Sequence, residues 1–85
     1  MASDEKKILL VEDEKAIRDA VAAYLEREGY IVRGVGDGQS AVEEFEKHSF
    51  DLVILDLMLP KLSGERVCRA IRETSSVPIL SLIHI

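Results

Sequence analysis

Asp51-Leu52-Val53-Ile54-Leu55-Asp56-Leu57-Met58-Leu59-Pro60 is the stretch that decides the fold. Leu52 to Leu55 are apolar without interruption, which suits a strand covered on both faces, as in a parallel sheet; a half-solvated strand would alternate. Asp56 follows the run, and Pro60 breaks the loop Leu57 to Ser63. Upstream, Ile8-Leu9-Leu10-Val11 is a second such run, and Tyr30 to Val35 reads as a strand closed by Gly34, Gly36 and Gly38. Between them, Glu14 to Glu28 places Ile17, Val21, Tyr24 and Leu25 in one helical stripe, stopped by Gly29. A second helix, from about Gln39 to Lys47, turns Ala41, Val42 and Phe45 inward, with caps available among Asp37 to Ser40. A third, from about Gly64 to Glu73, shows Val67, Ala70 and Ile71 on one face. After the turn Thr74-Ser75-Ser76, a fourth strand begins at Val77-Pro78-Ile79-Leu80. The order βαβαβαβ predicts right-handed crossovers and one parallel sheet.

Composition narrows the function. Eighty-five residues make one small domain, and 47% hydrophobic with 32% charged residues is a globular balance. Eleven Lys and Arg against sixteen Asp and Glu leave a net charge of −5, which argues against direct nucleic-acid binding, since that rests on clustered cations. Cys68 is the single cysteine, so neither an internal disulfide nor a multi-cysteine metal site is available. No apolar run reaches the length of a membrane span, and Met1-Ala2-Ser3-Asp4-Glu5 has none of the basic and apolar character of a signal peptide. A soluble, reduced, cytoplasmic domain is expected. There is no internal repeat, low-complexity tract or linker.

In open α/β sheets ligands bind beyond the carboxyl ends of the strands, where the strand order reverses. Glu12 and Asp13 end the first strand and Asp56 ends the third, so three carboxylates are expected in one crevice. Like charges that close repel, and a hard divalent cation with oxygen ligands relieves the repulsion. Mg²⁺, which keeps several waters, fits two or three carboxylates. The plainer alternative for Glu12 and Asp13 is that they only favour the positive end of the helix dipole. Asp56, closing a run of buried positions, needs a partner more urgently.

Lys7-Ile8-Leu9-Leu10-Val11-Glu12-Asp13-Glu14, the stretch Asp51 to Pro60 and the pair Ser63-Gly64 together resemble the receiver domain of bacterial two-component response regulators. The likeness runs from about Lys6 to Leu80, and the Met-Leu-Pro-x-Leu-Ser-Gly stretch is most similar to regulators with a winged-helix DNA-binding output. It implies a flavodoxin-like doubly wound sheet of order 2-1-3-4-5. By that resemblance Asp56 is the phosphoacceptor, taking a phosphoryl group from the histidine of a sensor kinase, and the domain is a signalling switch, not an enzyme. Asp13 resembles the direct ligand of Mg²⁺, Glu12 a neighbour acting through water, and Met58 the position whose backbone carbonyl completes the shell. Pro60 and Gly64 shape the loop, and Ser63 stands where many members carry Asp. Control of a transcriptional output domain and receiver dimerisation in the full-length parent are implied as well.

Rival readings are weaker. Gly34-Val35-Gly36-Asp37-Gly38 lacks the third glycine of a dinucleotide fingerprint at Gln39 and follows the second strand instead of the first, so it reads as a turn. A haloacid-dehalogenase-like phosphatase also phosphorylates an aspartate ending a strand, but wants an acid where this chain has Met58. A phosphorylation-independent interaction module remains as the alternative from another class. Cys68 reads as a packed thiol, His48 as a solvated or dipole-pairing helix end, and Arg18, Glu26 and Arg27 as a solvated face.

The end of the chain departs from the resemblance. Strand starts near Lys7, Tyr30, Asp51 and Pro78 recur every 20–27 residues, so a receiver of five units would need a further helix, strand and helix. Ile83 stands where the family places a hydroxyl residue, and the lysine ending the fifth strand has no counterpart. Leu80-Ser81-Leu82-Ile83-His84-Ile85 is what CTGTCTCTTATACACATC encodes, a string matching the transposase mosaic-end adapter of sequencing libraries. The expectation is therefore a truncated receiver over residues 1–80, sheet order 2-1-3-4, with residues 81–85 a non-native adapter tail. A natural truncation or frameshift is the alternative. As written, the chain is expected not to switch.

Overall fold

The structure, a computed structural model, describes residues 5–56 and 64–82. Its elements are β1 (Lys7–Val11), α1 (Lys15–Arg27), β2 (Ile31–Val35), α2 (Gly38–Lys47), β3 (Leu52–Asp56), α3 (Gly64–Arg72) and β4 (Ile79–Leu82). All strand pairs are parallel, in the order β2-β1-β3-β4. This is the expected flavodoxin-like order with β1 and β3 at the centre, and it places the strand-order reversal between them.

Burial follows the apolar runs. Ile8, Leu9, Leu10 and Val11 in β1 and Val53, Ile54 and Leu55 in β3 are buried, because helices cover both sides of the central strands. Alternation splits them between two cores. Leu9, Val11, Val53 and Leu55 meet Ala41 of α2 and Val67 and Ile71 of α3, with Val42, Phe45 and Cys68 packed alongside. Ile8, Leu10 and Ile54 face the other way, toward Val21, Ala22 and Leu25 of α1. Tyr24, which the helical stripe included, is instead 60% exposed, and Ile17 lies at the margin. At the amino end of the sheet, Asp51 and Lys7 clamp β3 to β1: Lys7 N donates to Asp51 Oδ2 at 2.8 Å, and Asp51 N to Lys7 O at 2.7 Å.

Local chemistry sets the boundaries. Gly29, at φ +100°, takes the left-handed conformation that ends α1, with Gly29 N donating to Glu26 O and Tyr30 N to Leu25 O. Asp37 caps α2, its Oδ1 accepting from Ser40 N at 2.8 Å. The fourth strand starts two residues later than the apolar pattern suggests. Val77 is buried, but Pro78 has no N–H to donate and contributes only its carbonyl, to Val53 N at 3.0 Å. Arg72 ties the turn before it, through Nη1 to Val77 O. The strand also runs past Leu80, pairing Ser81 with Leu55 and Leu82 with Asp56. A parallel ladder uses backbone groups, so this pairing does not depend on the origin of residues 81 and 82. Among the described residues, no helix is long and apolar enough to cross a membrane.

Candidate functional site

The carboxyl ends of β1 and β3 bring the three predicted acids together. A carboxylate oxygen from each of Glu12, Asp13 and Asp56 lies within 4.8 Å of the others. Asp56 is the last residue of β3, as expected of an acid ending the third strand, and is 2% exposed; Glu12 is 1% exposed. Asp13 is exposed, and forms the open side of the group. Two buried carboxylates beside a third, solvated one make a site closed below and open above.

The turn that carries the pair is tightly held. Glu12 N continues the β1–β2 ladder by donating to Val35 O at 3.1 Å. Glu12 Oε2 accepts from Glu14 N at 3.0 Å, just before α1 begins. The plainer view of Glu12 as a residue of the helix start is thus correct in part: one of its oxygens serves the backbone there, while the carboxylate remains in the acidic group. Arg18 Nη1 donates to Glu12 O at 2.7 Å. This corrects the grouping of Arg18 with Glu26 and Arg27 as solvated charges. Arg18 is half-buried because its stem passes over Gly34 of β2 and its guanidinium over Gly36 just beyond the strand, and the spacing of charges on α1 carries no sign of that.

The donor set suits a hard cation. It consists of oxygens alone, on three acids that repel one another unless something positive lies between them. His48 and Cys68 take no part. His48 caps α2 near Glu44, at 3.6 Å, and stacks edge-on against Phe50; Cys68 packs from α3 against the core. The cleft lined by Lys7, Ile31, Arg33, His48 and Phe50 lies at the amino end of the strands, away from the acids. Met58, Pro60 and Ser63, which the resemblance assigns to the site loop, and Ile83, at its hydroxyl position, lie outside the described residues.

Comparison with known proteins agrees with this geometry. The family model described as "Response regulator receiver domain" matches residues 8–83. The sensory transduction protein RegX3 of Mycolicibacterium smegmatis is 49% identical over 73 residues, covering 86% of this chain and 32% of that protein. The transcriptional regulatory protein CseB of Streptomyces coelicolor is 42% identical over 80 residues, covering 94% of this chain and 34% of that protein. The chain thus spans about a third of the length of these curated relatives. Among solved structures, the response regulator TrrA of Thermotoga maritima, in complex with Mg²⁺ and a beryllium fluoride, superposes with a TM-score of 0.86 at 37% identity, covering 92% of this chain and 69% of that one. On sequence and fold alike, the chain belongs to the receiver-domain family of two-component response regulators.

Proposed function

We propose that Asp56 is the phosphoacceptor of this receiver domain and that Mg²⁺ assists the transfer. The observation that carries the reading is the convergence of Glu12, Asp13 and Asp56 at the carboxyl ends of the two central strands. An Asp56 carboxylate oxygen attacks the phosphorus of a phosphohistidine in line with the P–N bond. That bond breaks, the imidazole leaves with its electron pair, and Asp56 becomes an acyl phosphate. Burial of Asp56 keeps the reacting oxygen out of bulk water, and its position at the end of β3 fixes its direction. Bound Mg²⁺ supplies positive charge against the phosphoryl oxygens as negative charge spreads over them. Asp13, exposed at the mouth, would be the direct ligand, Glu12 would act through water, and the Met58 backbone carbonyl would complete the set.

The donor in this reading is a sensor histidine kinase in the cytoplasm, and the phosphorylated domain acts on an output domain that regulates transcription, as the name of the CseB relative suggests. Residues 1–80 form the receiver proper and 81–85 an adapter-derived tail. Independent reads of the source locus that carry Ser81 to Ile85 followed by a stop would overturn that last point. The phosphoacceptor reading is tested with a small phosphodonor and Mg²⁺ on the full-length protein, followed by intact mass. One added phosphoryl group is expected, lost in Asp56→Ala and on chelation. Labelling that persists in Asp56→Ala contradicts the assignment, and absence of labelling in the wild type favours an interaction module without phosphoryl chemistry. Asp13→Asn weakens Mg²⁺ binding more than Glu12→Gln if the division of roles is right; equal losses refute it.

A further inference from the structure

The fold treats Arg18 unlike the solvated charges of α1. It lies along β2, where Cβ atoms built on Gly34 and Gly36 would stand 3.2 Å from its Cγ and Cδ and 3.1 Å from its Nη1. Gly34 lies in β2 two residues from Val32, on the side that α1 covers, and Gly36 stands just past the end of the strand. Two missing side chains therefore make a trough, and the arginine stem fills it. At the end of the trough Nη1 meets Glu12 O at 2.7 Å, while Glu12 N is held by Val35 O at 3.1 Å. The peptide group between Glu12 and Asp13 is fixed from α1, and the peptide group before it from β2. A charged donor makes the first of these bonds stronger than a neutral one would. Glycine inside a strand, as at Gly34, otherwise weakens it, and close approach by another group is one reason to find it there.

We infer that Arg18 is a positioning residue for the acidic turn, holding the Glu12–Asp13 peptide so that the two carboxylates converge on Asp56 before any cation binds. The inference rests on the reading of Glu12, Asp13 and Asp56 as a cation site. Asp13 is exposed and next to two buried acids, so repulsion would swing it outward if the turn were loose. With the peptide anchored, ordering is supplied by the fold instead of by the metal, which is how groups behind the ligands raise metal affinity.

Calorimetric titration of the full-length protein with Mg²⁺ alone tests this, with thermal melting run in parallel. Arg18→Met keeps the apolar stem but removes the donor, and is expected to lower affinity about ten-fold. Arg18→Lys retains a donor on a similar stem and recovers part of the loss. Gly36→Ala leaves Arg18 in place but crowds its Nη1, the flexible end of the chain, so it lowers affinity with little change in melting. That effect should vanish in the Arg18→Met background. Should Arg18→Met fail to fold, Gly36→Ala and Arg18→Lys carry the test. Unchanged Mg²⁺ affinity in the folded Arg18 variants, or an equal effect of Gly36→Ala in both backgrounds, overturns the inference while leaving the cation site standing. A wild-type protein that takes up no Mg²⁺ removes the cation site itself, and the inference with it.

Discussion

The two faces of the sheet are built to different standards. On one, α2 and α3 lie side by side over Leu9, Val11, Val53 and Leu55 and contribute Ala41, Val67 and Ile71, all at most 1% exposed. On the other, α1 covers β1 and β2 without burying any residue of its own completely, and on β4 Leu80 remains 53% exposed beside Ile54. The same sheet thus has a sealed side and a side that is open toward β4. Both sides contribute to the acidic site. Asp56 extends the central strand that the sealed face packs, whereas the Glu12–Asp13 turn is tied down by Arg18 from the helix on the open side. The difference teaches that Asp56 is held chiefly by the packed strand it ends, and the acid pair by a few polar ties as well.

The largest expected effect sharpens that contrast. Ile71→Ala, on the sealed side, removes a side chain that is 1% exposed and should cost about 2–5 kcal/mol by denaturant unfolding of the full-length protein. Leu25→Ala, half-buried on the open side, should cost clearly less. Equal losses would mean that the open side is as well packed as the sealed one. A related expectation concerns the 85-residue chain by itself. Each large apolar side chain left uncovered forgoes about 1.5–3 kcal/mol, a sizeable share of a small domain's stability. Leu80 lies on an edge strand as well, where unpaired backbone invites association. Circular dichroism should therefore show a broad melt, or aggregation; a sharp melt of a soluble monomer would break the contrast. The smallest effect belongs to the exposed pair Lys15–Asp19 on α1, at 2.6 Å. The hydrogen bond from Lys15 holds the Asp19 carboxyl below its ordinary pKa, so what the pair adds is present at neutral pH and lost as pH falls through that lowered value. Asp19→Asn should leave the neutral-pH melting temperature nearly unchanged, because both partners are solvated. A large drop would show α1 to depend on surface charge instead of on Val21 and Leu25.

Much of this was legible in the residues. Uninterrupted apolar runs at 8–11 and 52–55 announce strands covered on both sides, and Gly29 and Asp37 mark helix ends by local chemistry that tertiary context does not override. The acid trio was legible too, since strand ends in a parallel sheet share one edge and the acids stand at two of them. The trough for Arg18 was not. A basic residue on an amphipathic helix has the same appearance whether it reaches water or bends over a neighbouring strand, and periodicity does not separate the two. The available signal was Gly34 inside the strand with Gly36 just past its end, since a turn alone does not require a glycine within the strand. The start of β4 was misplaced because hydropathy reads Val77 and Pro78 as strand, while the ladder needs an N–H that proline lacks.

The claim that matters most is that Asp56 is the group that reacts, with Glu12 and Asp13 beside it in a supporting role. Acyl phosphates are reduced by borohydride, so a phosphorylated aspartate can be trapped as homoserine and located by peptide mass spectrometry. Treating the full-length protein with a small phosphodonor and Mg²⁺ before trapping should place homoserine at position 56 and nowhere else, and chelating the metal beforehand should abolish it. Homoserine at position 13 or 51, or undiminished trapping at 56 without a divalent cation, would contradict the account.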